Sequence, residues 1–268
     1  MNTLTVGVCQ VRVGADKEKN IANAAWAIAQ AHARGASLIV LPEMFTCPYD
    51  RGYFKTFAEP VPRGPACEML ADLARTFKAF IVGGSIPERH GKRIYNSSPV
   101  FNPGGKLIAV HRKIHLFDVN LKTVRMRESA VFSPGALPTV FTTPFGVFGL
   151  AICYDARFPE LFRAMLRKKI RGVIVPAAFS IETGVAHWEP LMRMRAVDNQ
   201  VYVIAASPAR TSVLYHAYGH SMAVDPWGKI IAECGTGEEV FVCTLDSQRV
   251  ADVRERLPLL KHRRPAAY

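Results

Sequence analysis

The chain has 268 residues, of which 49% are hydrophobic and 21% charged, and 34 basic against 22 acidic residues give a net charge of +12. That length and balance fit one large α/β core and exclude a disordered chain. No apolar run reaches the roughly 20 residues a membrane helix needs, and the positive charge is too scattered for a nucleic-acid surface.

The first segment, Thr3 to Val11, reads as a buried strand. The amino terminus lacks a basic region, a long apolar run and a cleavage site, so a cytoplasmic setting is expected. Lys17 to Arg34 is Ala-rich with helical spacing, and Gly35 stops it. Ser37 to Leu41 is a short apolar run closed by Pro42, which suits a central strand. Gly64 to Lys78 reads as a helix, and Ala79 to Ile86 as one strand ending at Pro87. Three hairpins follow from their turn chemistry: around Pro103-Gly104-Gly105, Pro144-Phe145-Gly146 and Pro226-Trp227-Gly228. Asp118 to Met126 reads as a long basic loop. Helices are predicted over Phe158–Arg167 and Val185–Val197, and strands over Gly172–Pro176, Val201–Ala206 and Glu239–Leu245. Strand–helix alternation mixed with hairpins calls for two sheets with helices outside. No linker or composition shift divides the chain, so residues 1–268 are taken as one domain with an exposed tail from about 258.

The six cysteines contain no C-x-x-C pair, which argues against a zinc site. A chain this long needs no disulfide staples, so most of its thiols are expected to be small buried apolar groups. Cys153 has a local reason to differ. It ends the apolar strand Gly149-Leu150-Ala151-Ile152 and precedes a helix, where backbone N–H groups can bind an oxyanion. Glu43 directly follows a second hydrophobic strand, in Leu41-Pro42-Glu43, and burial there would suit it as a general base. Lys113, in His111-Arg112-Lys113-Ile114-His115, follows a hairpin strand and can hold an oxyanion by charge if aimed inward. A base, a cation and a nucleophile at three strand ends form a set for acyl transfer.

In these three contexts the sequence closely resembles the nitrilase superfamily of carbon–nitrogen hydrolases. The family's Glu-Lys-Cys triad falls on Glu43, Lys113 and Cys153, and a second family glutamate on Glu128. The resemblance runs from about Thr3 to Pro258. It implies a four-layer α-β-β-α sandwich, assembly into homodimers or larger oligomers, and no cofactor or metal. Segments such as Gly83 to Glu88, Ala186 to Glu189 and Arg195 to Val203 look most like the ω-amidase branch. That branch converts α-ketoglutaramate and α-ketosuccinamate to the keto diacid and ammonia. Related branches act on deaminated glutathione, N-carbamoyl compounds or nitriles. Two departures stand near the site: Ala177 replaces a glycine common before Ala-Phe, and the loop Asp118–Met126 is unusually basic.

The implied partner is a small amide, with no nucleic acid and no membrane. Its distal carboxylate needs a cation or hydroxyl, for which Tyr49 and Arg157 are candidates. Tyr154 would supply a backbone N–H to the oxyanion, and Phe179 an apolar wall. Arg157 can instead pair with Glu160 or Asp155. Two rival nucleophile systems are on the chain: Ser221 in Gly219-His220-Ser221-Met222-Ala223, and a Cys–His couple using His111, His115 or His187.

Overall fold

The computed structural model describes residues 2–210 and 215–267. It opens with β1 (Thr3–Gln10) and α1 (Lys17–Ala33). Asp16 caps α1 by accepting the Lys19 N–H. Then come β2 (Leu38–Val40), a short α2 (Arg51–Phe57) and α3 (Pro65–Phe77). Pro65 opens α3, where its missing N–H costs nothing. β3 (Phe80–Val82), β4 (Ile86–His90), β5 (Arg93–Phe101) and β6 (Leu107–Arg112) complete the first half. The second half carries β7 (Asp118–Asn120), β8 (Arg125–Arg127), β9 (Thr139–Thr143), β10 (Gly146–Leu150), α4 (Pro159–Leu166) and β11 (Gly172–Pro176). It closes with α5 (Ile181–Asn199), β12 (Tyr202–Ala206), β13 (Met222–Val224), β14 (Ile230–Glu233), β15 (Glu239–Asp246) and α6 (Ser247–Arg256).

Two sheets stack face to face. In the first, β1, β2 and β3 are parallel neighbours, β15 pairs antiparallel with β1, and β5 pairs with β3, β4 and β6. In the second, β10, β11 and β12 are parallel, flanked by antiparallel β9 on one side and β13–β14 on the other. Alternation along each strand sorts its side chains. Val6 and Val8 of β1, with Val40 of β2, meet Phe148, Ile174 and Ile204 of the other sheet in the central core. Cys9, Ile39 and Ile81 turn the other way, onto Ala27, Ile28 and Leu70 of α1 and α3. Val173, Val175 and Val203 likewise meet Phe162, Trp188 and Met192 of α4 and α5. The result is the four-layer α-β-β-α sandwich expected from the sequence, with all three hairpins in place.

Several expectations need correction. Ala79–Ile86 is two strands, because the chain jogs at Gly83-Gly84-Ser85 between β3 and β4. Gly84 has φ +51°, and a Cβ there would stand 2.0 Å from the Pro42 carbonyl oxygen. The jog lets Ser85 clasp the segment after β2: its N–H donates to the Pro42 carbonyl (3.1 Å), and its hydroxyl and carbonyl accept the N–H groups of Met44 (3.1 Å) and Phe45 (3.2 Å). The basic loop is a small hairpin, β7 with β8, whose Val119 and Met126 pack inward while Arg125 and Arg127 stay outside. α5 starts at Ile181, not Val185, because Ser180 caps its first turn. Two helices lie outside the sequence expectation: α2 is only seven residues long, and α6 is strongly polar with only Val250 and Val253 turned to the core. Beyond α6 the tail is exposed apart from half-buried stretches and ends in a single 3-10 turn, Pro265–Ala267.

Gly84→Ala is expected to cost about 3 kcal/mol in urea unfolding, since it combines positive-φ strain with a backbone collision.

Candidate active site

Three strand ends converge at one edge of the sandwich. Glu43 follows β2 in the first sheet, Cys153 follows β10 in the second, and Lys113 follows β6. Ligand sites in α/β folds lie at such carboxyl ends of parallel strands. All three side chains are buried, with Glu43 and Lys113 almost fully so.

The Lys113 ammonium is the hub. Its Nζ donates to Glu43 Oε1 at 2.9 Å and lies 3.1 and 3.0 Å from Glu128 Oε1 and Oε2. The Tyr49 hydroxyl donates to Glu128 Oε1 at 2.7 Å and lies 3.4 Å from the same ammonium. Glu128 Oε2 accepts the Phe117 N–H at 2.7 Å, which fixes it at the base of the β7–β8 hairpin. Asn96 on β5 donates Nδ2 to Glu43 Oε1 at 2.8 Å, and its carbonyl accepts the Lys113 N–H at 2.8 Å. Gly135 then donates its N–H to the Lys113 carbonyl at 2.8 Å; a Cβ there would lie 2.1 Å from the Arg112 carbonyl oxygen, so only glycine passes this close.

Glu43 Oε2 has no nitrogen or oxygen partner among the described residues, and the carboxylate faces the Cys153 thiol. The sulfur also receives the Ala178 backbone N–H. Cys153 has φ +47° and Met44 has φ +53°, so the residue itself in one case, and the neighbour of Glu43 in the other, hold a left-handed backbone. Such non-glycine conformations cost about 1–3 kcal/mol each and persist only under surrounding restraint. At Cys153 the strain turns the thiol out of the strand and toward Glu43.

Charge within the site is lopsided. Burial pushes the Glu43 carboxyl up, and the Glu128 charge adds to this against the opposing pull of Lys113. Burial and the Glu43 charge hold the Cys153 thiol well above its ordinary value, more than Lys113 and the Ala178 N–H lower it. Burial alone would depress Lys113, but Glu128 and Glu43 hold its ammonium well above the usual lysine range. The resting site is therefore a neutral thiol beside a base of raised affinity for protons, with a permanently charged lysine between two carboxylates.

The other predicted residues fall apart into two groups. Tyr49 lines a cavity of about 260 Å³ that also touches Glu43, Met44, Tyr215 and, at its outer end, Arg12. Arg157 lies over the rings of Phe179 (4.9 Å) and Tyr154 (5.8 Å) and reaches His187 Nδ1 at 3.2 Å. It bonds neither Asp155, which is taken by two histidines, nor Glu160. Phe179 is buried edge-to-face against Trp188. Ser221 is a structural serine: it is buried, donates to Gln10 Oε1 at 2.8 Å and accepts the Ser207 N–H. His111 and His115 bond Asp155, and the second nitrogen of His111 turns to Thr139, while the Cys153 thiol meets Glu43 and the Ala178 N–H and neither ring. The remaining five cysteines are free and raised by burial, Cys234 and Cys243 to about 12.

Sequence reading missed Asn96, Asp155 and Tyr215. Asn96 was signalled by a polar run, Asn96-Ser97-Ser98, inside an otherwise apolar strand. Tyr215, whose hydroxyl donates to the Ala178 carbonyl at 2.7 Å and whose ring meets Tyr49 at 5.0 Å, lies in an irregular segment and left no signal.

Residues 5–255 match the family model described as carbon-nitrogen hydrolase. The chain is 43% identical to omega-amidase NIT2 of Danio rerio, over all of this chain and 97% of that protein. It superposes on the crystal structure of Saccharomyces cerevisiae Nit3, a member of branch 10 of the nitrilase superfamily, with TM-score 0.91 and 44% identity, covering 98% of this chain and 97% of that one. It also matches a glutamate-to-glutamine mutant of the amidase of Nesterenkonia sp. AN1, in which acrylamide has added to the active-site cysteine (TM-score 0.81, 25% identity, 95% of this chain and 98% of that one).

Lys113→Ala leaves two buried carboxylates facing each other without a cation. It is expected to cost about 3–5 kcal/mol of stability at pH 8. The carboxyl pKa values rise in the folded variant, so its native state binds protons more readily than its unfolded state. The loss should therefore shrink as pH falls toward 5, which urea melts at several pH values would read.

Proposed function

The chain belongs to the carbon–nitrogen hydrolase family, and from that premise we propose that it is an ω-amidase, hydrolysing the terminal amide of α-ketoglutaramate or α-ketosuccinamate through a Cys153 thioester. The observation that carries the reading is the Cys153 thiol facing a Glu43 carboxylate that shares Lys113 with Glu128. The full-length similarity to omega-amidase NIT2 supports the choice of substrate.

In this mechanism Glu43 takes the thiol proton as sulfur attacks the amide carbonyl. The neutral resting thiol requires that transfer to accompany attack. The oxyanion is held by the Lys113 ammonium and the Tyr154 backbone N–H. The tetrahedral intermediate collapses by breaking its C–N bond, and Glu43 returns the proton to the leaving ammonia. Water then enters, gives a proton to Glu43 and attacks the thioester; the C–S bond breaks and the thiolate recovers the proton. Glu128 and Tyr49 keep the lysine aimed. The cavity beside Glu43 and Tyr49 accepts a small acid amide, and no cofactor is called upon. Arg157 and Phe179 lie in a separate stack, and the one Tyr49 hydroxyl proton is taken by Glu128, so Tyr49 lines the cavity without a free donor for the distal carboxylate.

The protein is further read as one catalytic domain in a cytoplasmic homodimer or larger homo-oligomer. Apolar Val185 and Met194 of α5 and Trp227 in the β13–β14 turn face outward and support assembly.

Steady-state kinetics on α-ketoglutaramate, α-ketosuccinamate and deaminated glutathione test the substrate. Activity on the third alone would sink the ω-amidase reading. Cys153→Ala should lose activity by at least about a thousandfold, and enzyme quenched with substrate should show an acyl adduct on Cys153 by mass spectrometry that Glu43→Gln fails to form. Because Glu43 must be ionised and burial raises its pKa, kcat/KM should begin to fall on the acid side well above the ordinary glutamate range. Lys113, held above the lysine range, should add no alkaline limb below pH 10.

A further inference from the structure

Asp155 stands outside the four groups assigned to the chemistry, yet it is one of the most tightly held side chains near them. It lies two residues after Cys153, in the 3-10 turn Cys153–Arg157, and is fully buried. Its Oδ2 accepts the Ile152 N–H at 3.0 Å and meets His111 Nε2 at 2.9 Å. Its Oδ1 accepts the His115 N–H at 2.9 Å and meets His115 Nδ1 at 2.7 Å. Burial alone would raise the carboxyl, but the bonds from His111 and His115 outweigh it and hold Asp155 well below the usual range. An ionised acid accepts at both oxygens, so His111 carries its proton on Nε2 and His115 on Nδ1. The second nitrogen of His111 lies 3.2 Å from the Thr139 hydroxyl, and the His115 ring stacks on Phe158 at 3.6 Å.

His111 and His115 flank Lys113 by two residues on either side. One carboxylate therefore grips the strand end that carries the lysine, both before and after it, and the turn that carries the nucleophile. Its four N–H contacts leave it no free acceptor direction toward Lys113, so it does not compete with Glu43 and Glu128. We propose that Asp155 is a positioning residue, which sets the separation between the Lys113 ammonium and the Cys153 sulfur through His111 and His115. It touches neither the substrate nor the reacting atoms. The inference rests on Cys153 as nucleophile and not on which amide it meets.

The test is a double-mutant cycle read by the pH profile of Cys153 alkylation with iodoacetamide, which needs no substrate. Lys113 lowers the Cys153 thiol. Loosening its placement in Asp155→Asn should move the profile to higher pH by about one unit, and make kcat fall about 10–100-fold with KM changed less than about threefold. In a Lys113→Ala background, Asp155→Asn should move the profile no further. An equal shift in both backgrounds, or an unchanged profile and kcat in a merely less stable Asp155→Asn, overturns the proposal. Should Asp155→Asn fail to fold by circular dichroism, His115→Ala carries the test, with a smaller shift in the same direction expected and an unchanged profile overturning it. If the cycle holds while no amide is hydrolysed, the substrate reading has failed and the positioning role stands.

Discussion

The buried ammonium of Lys113 is the constraint on which the site depends. A charge in a dry interior is tolerated only when its partners are close and themselves well bonded. Here Glu43 and Glu128 supply two carboxylates for one cation, so the cluster carries one excess negative charge. That excess keeps the lysine protonated and gives Glu43 an appetite for a proton. The nearest proton that can move is on Cys153. Burial and the Glu43 charge, against the pull of the lysine, thus keep the thiol neutral, in contrast to a cysteine paired with a cationic histidine, which waits as a thiolate.

Meeting that constraint takes most of the sandwich. Cys153 and Glu43 come from different sheets, so the stacking of β2 against β10 sets their approach. Lys113 comes from a third strand, and its backbone is pinned by Asn96 on one side and Gly135 on the other. Glu128 arrives at the base of the β7–β8 hairpin, directly after β8, and is locked by Phe117 and Tyr49. Lys113 and Glu128 are held by backbone hydrogen bonds as well as by their side chains, and Glu43 is held through its neighbours Pro42 and Met44. The left-handed residues Met44 and Cys153 persist because the clasp at Ser85 and the Asp155 network over-determine the chain around them.

The layered fold was legible because its signals are local. Period-two and continuous apolar runs marked most of the strands, Ala-rich helical spacing marked α1, and proline–glycine turns marked the three hairpins. What escaped was set by geometry between segments. The break between β3 and β4 looks like uninterrupted strand sequence, since Gly83-Gly84-Ser85 differs from its neighbours only in the turn it must make beneath Pro42. The β7–β8 hairpin has alternation too short to stand out, and its inward face matters only because Glu128 lies at its base.

For the proposed chemistry, the sequence by itself singled out the candidate residue types. Glutamate, lysine and cysteine each close an apolar strand, and burial at a strand end is what makes such residues reactive. It also determined the family, because those three contexts recur together. Only the tertiary structure decided which groups share the lysine, because residues 43, 113, 128 and 153 meet through the stacking of two sheets and not through spacing along the chain. It likewise decided that Asp155 serves His111 and His115 and not Arg157, and that Ser221 belongs to a buried hydrogen-bond set with Gln10. Hydrogen bonds are assigned by direction and distance in space, and those quantities do not exist until the layers are packed.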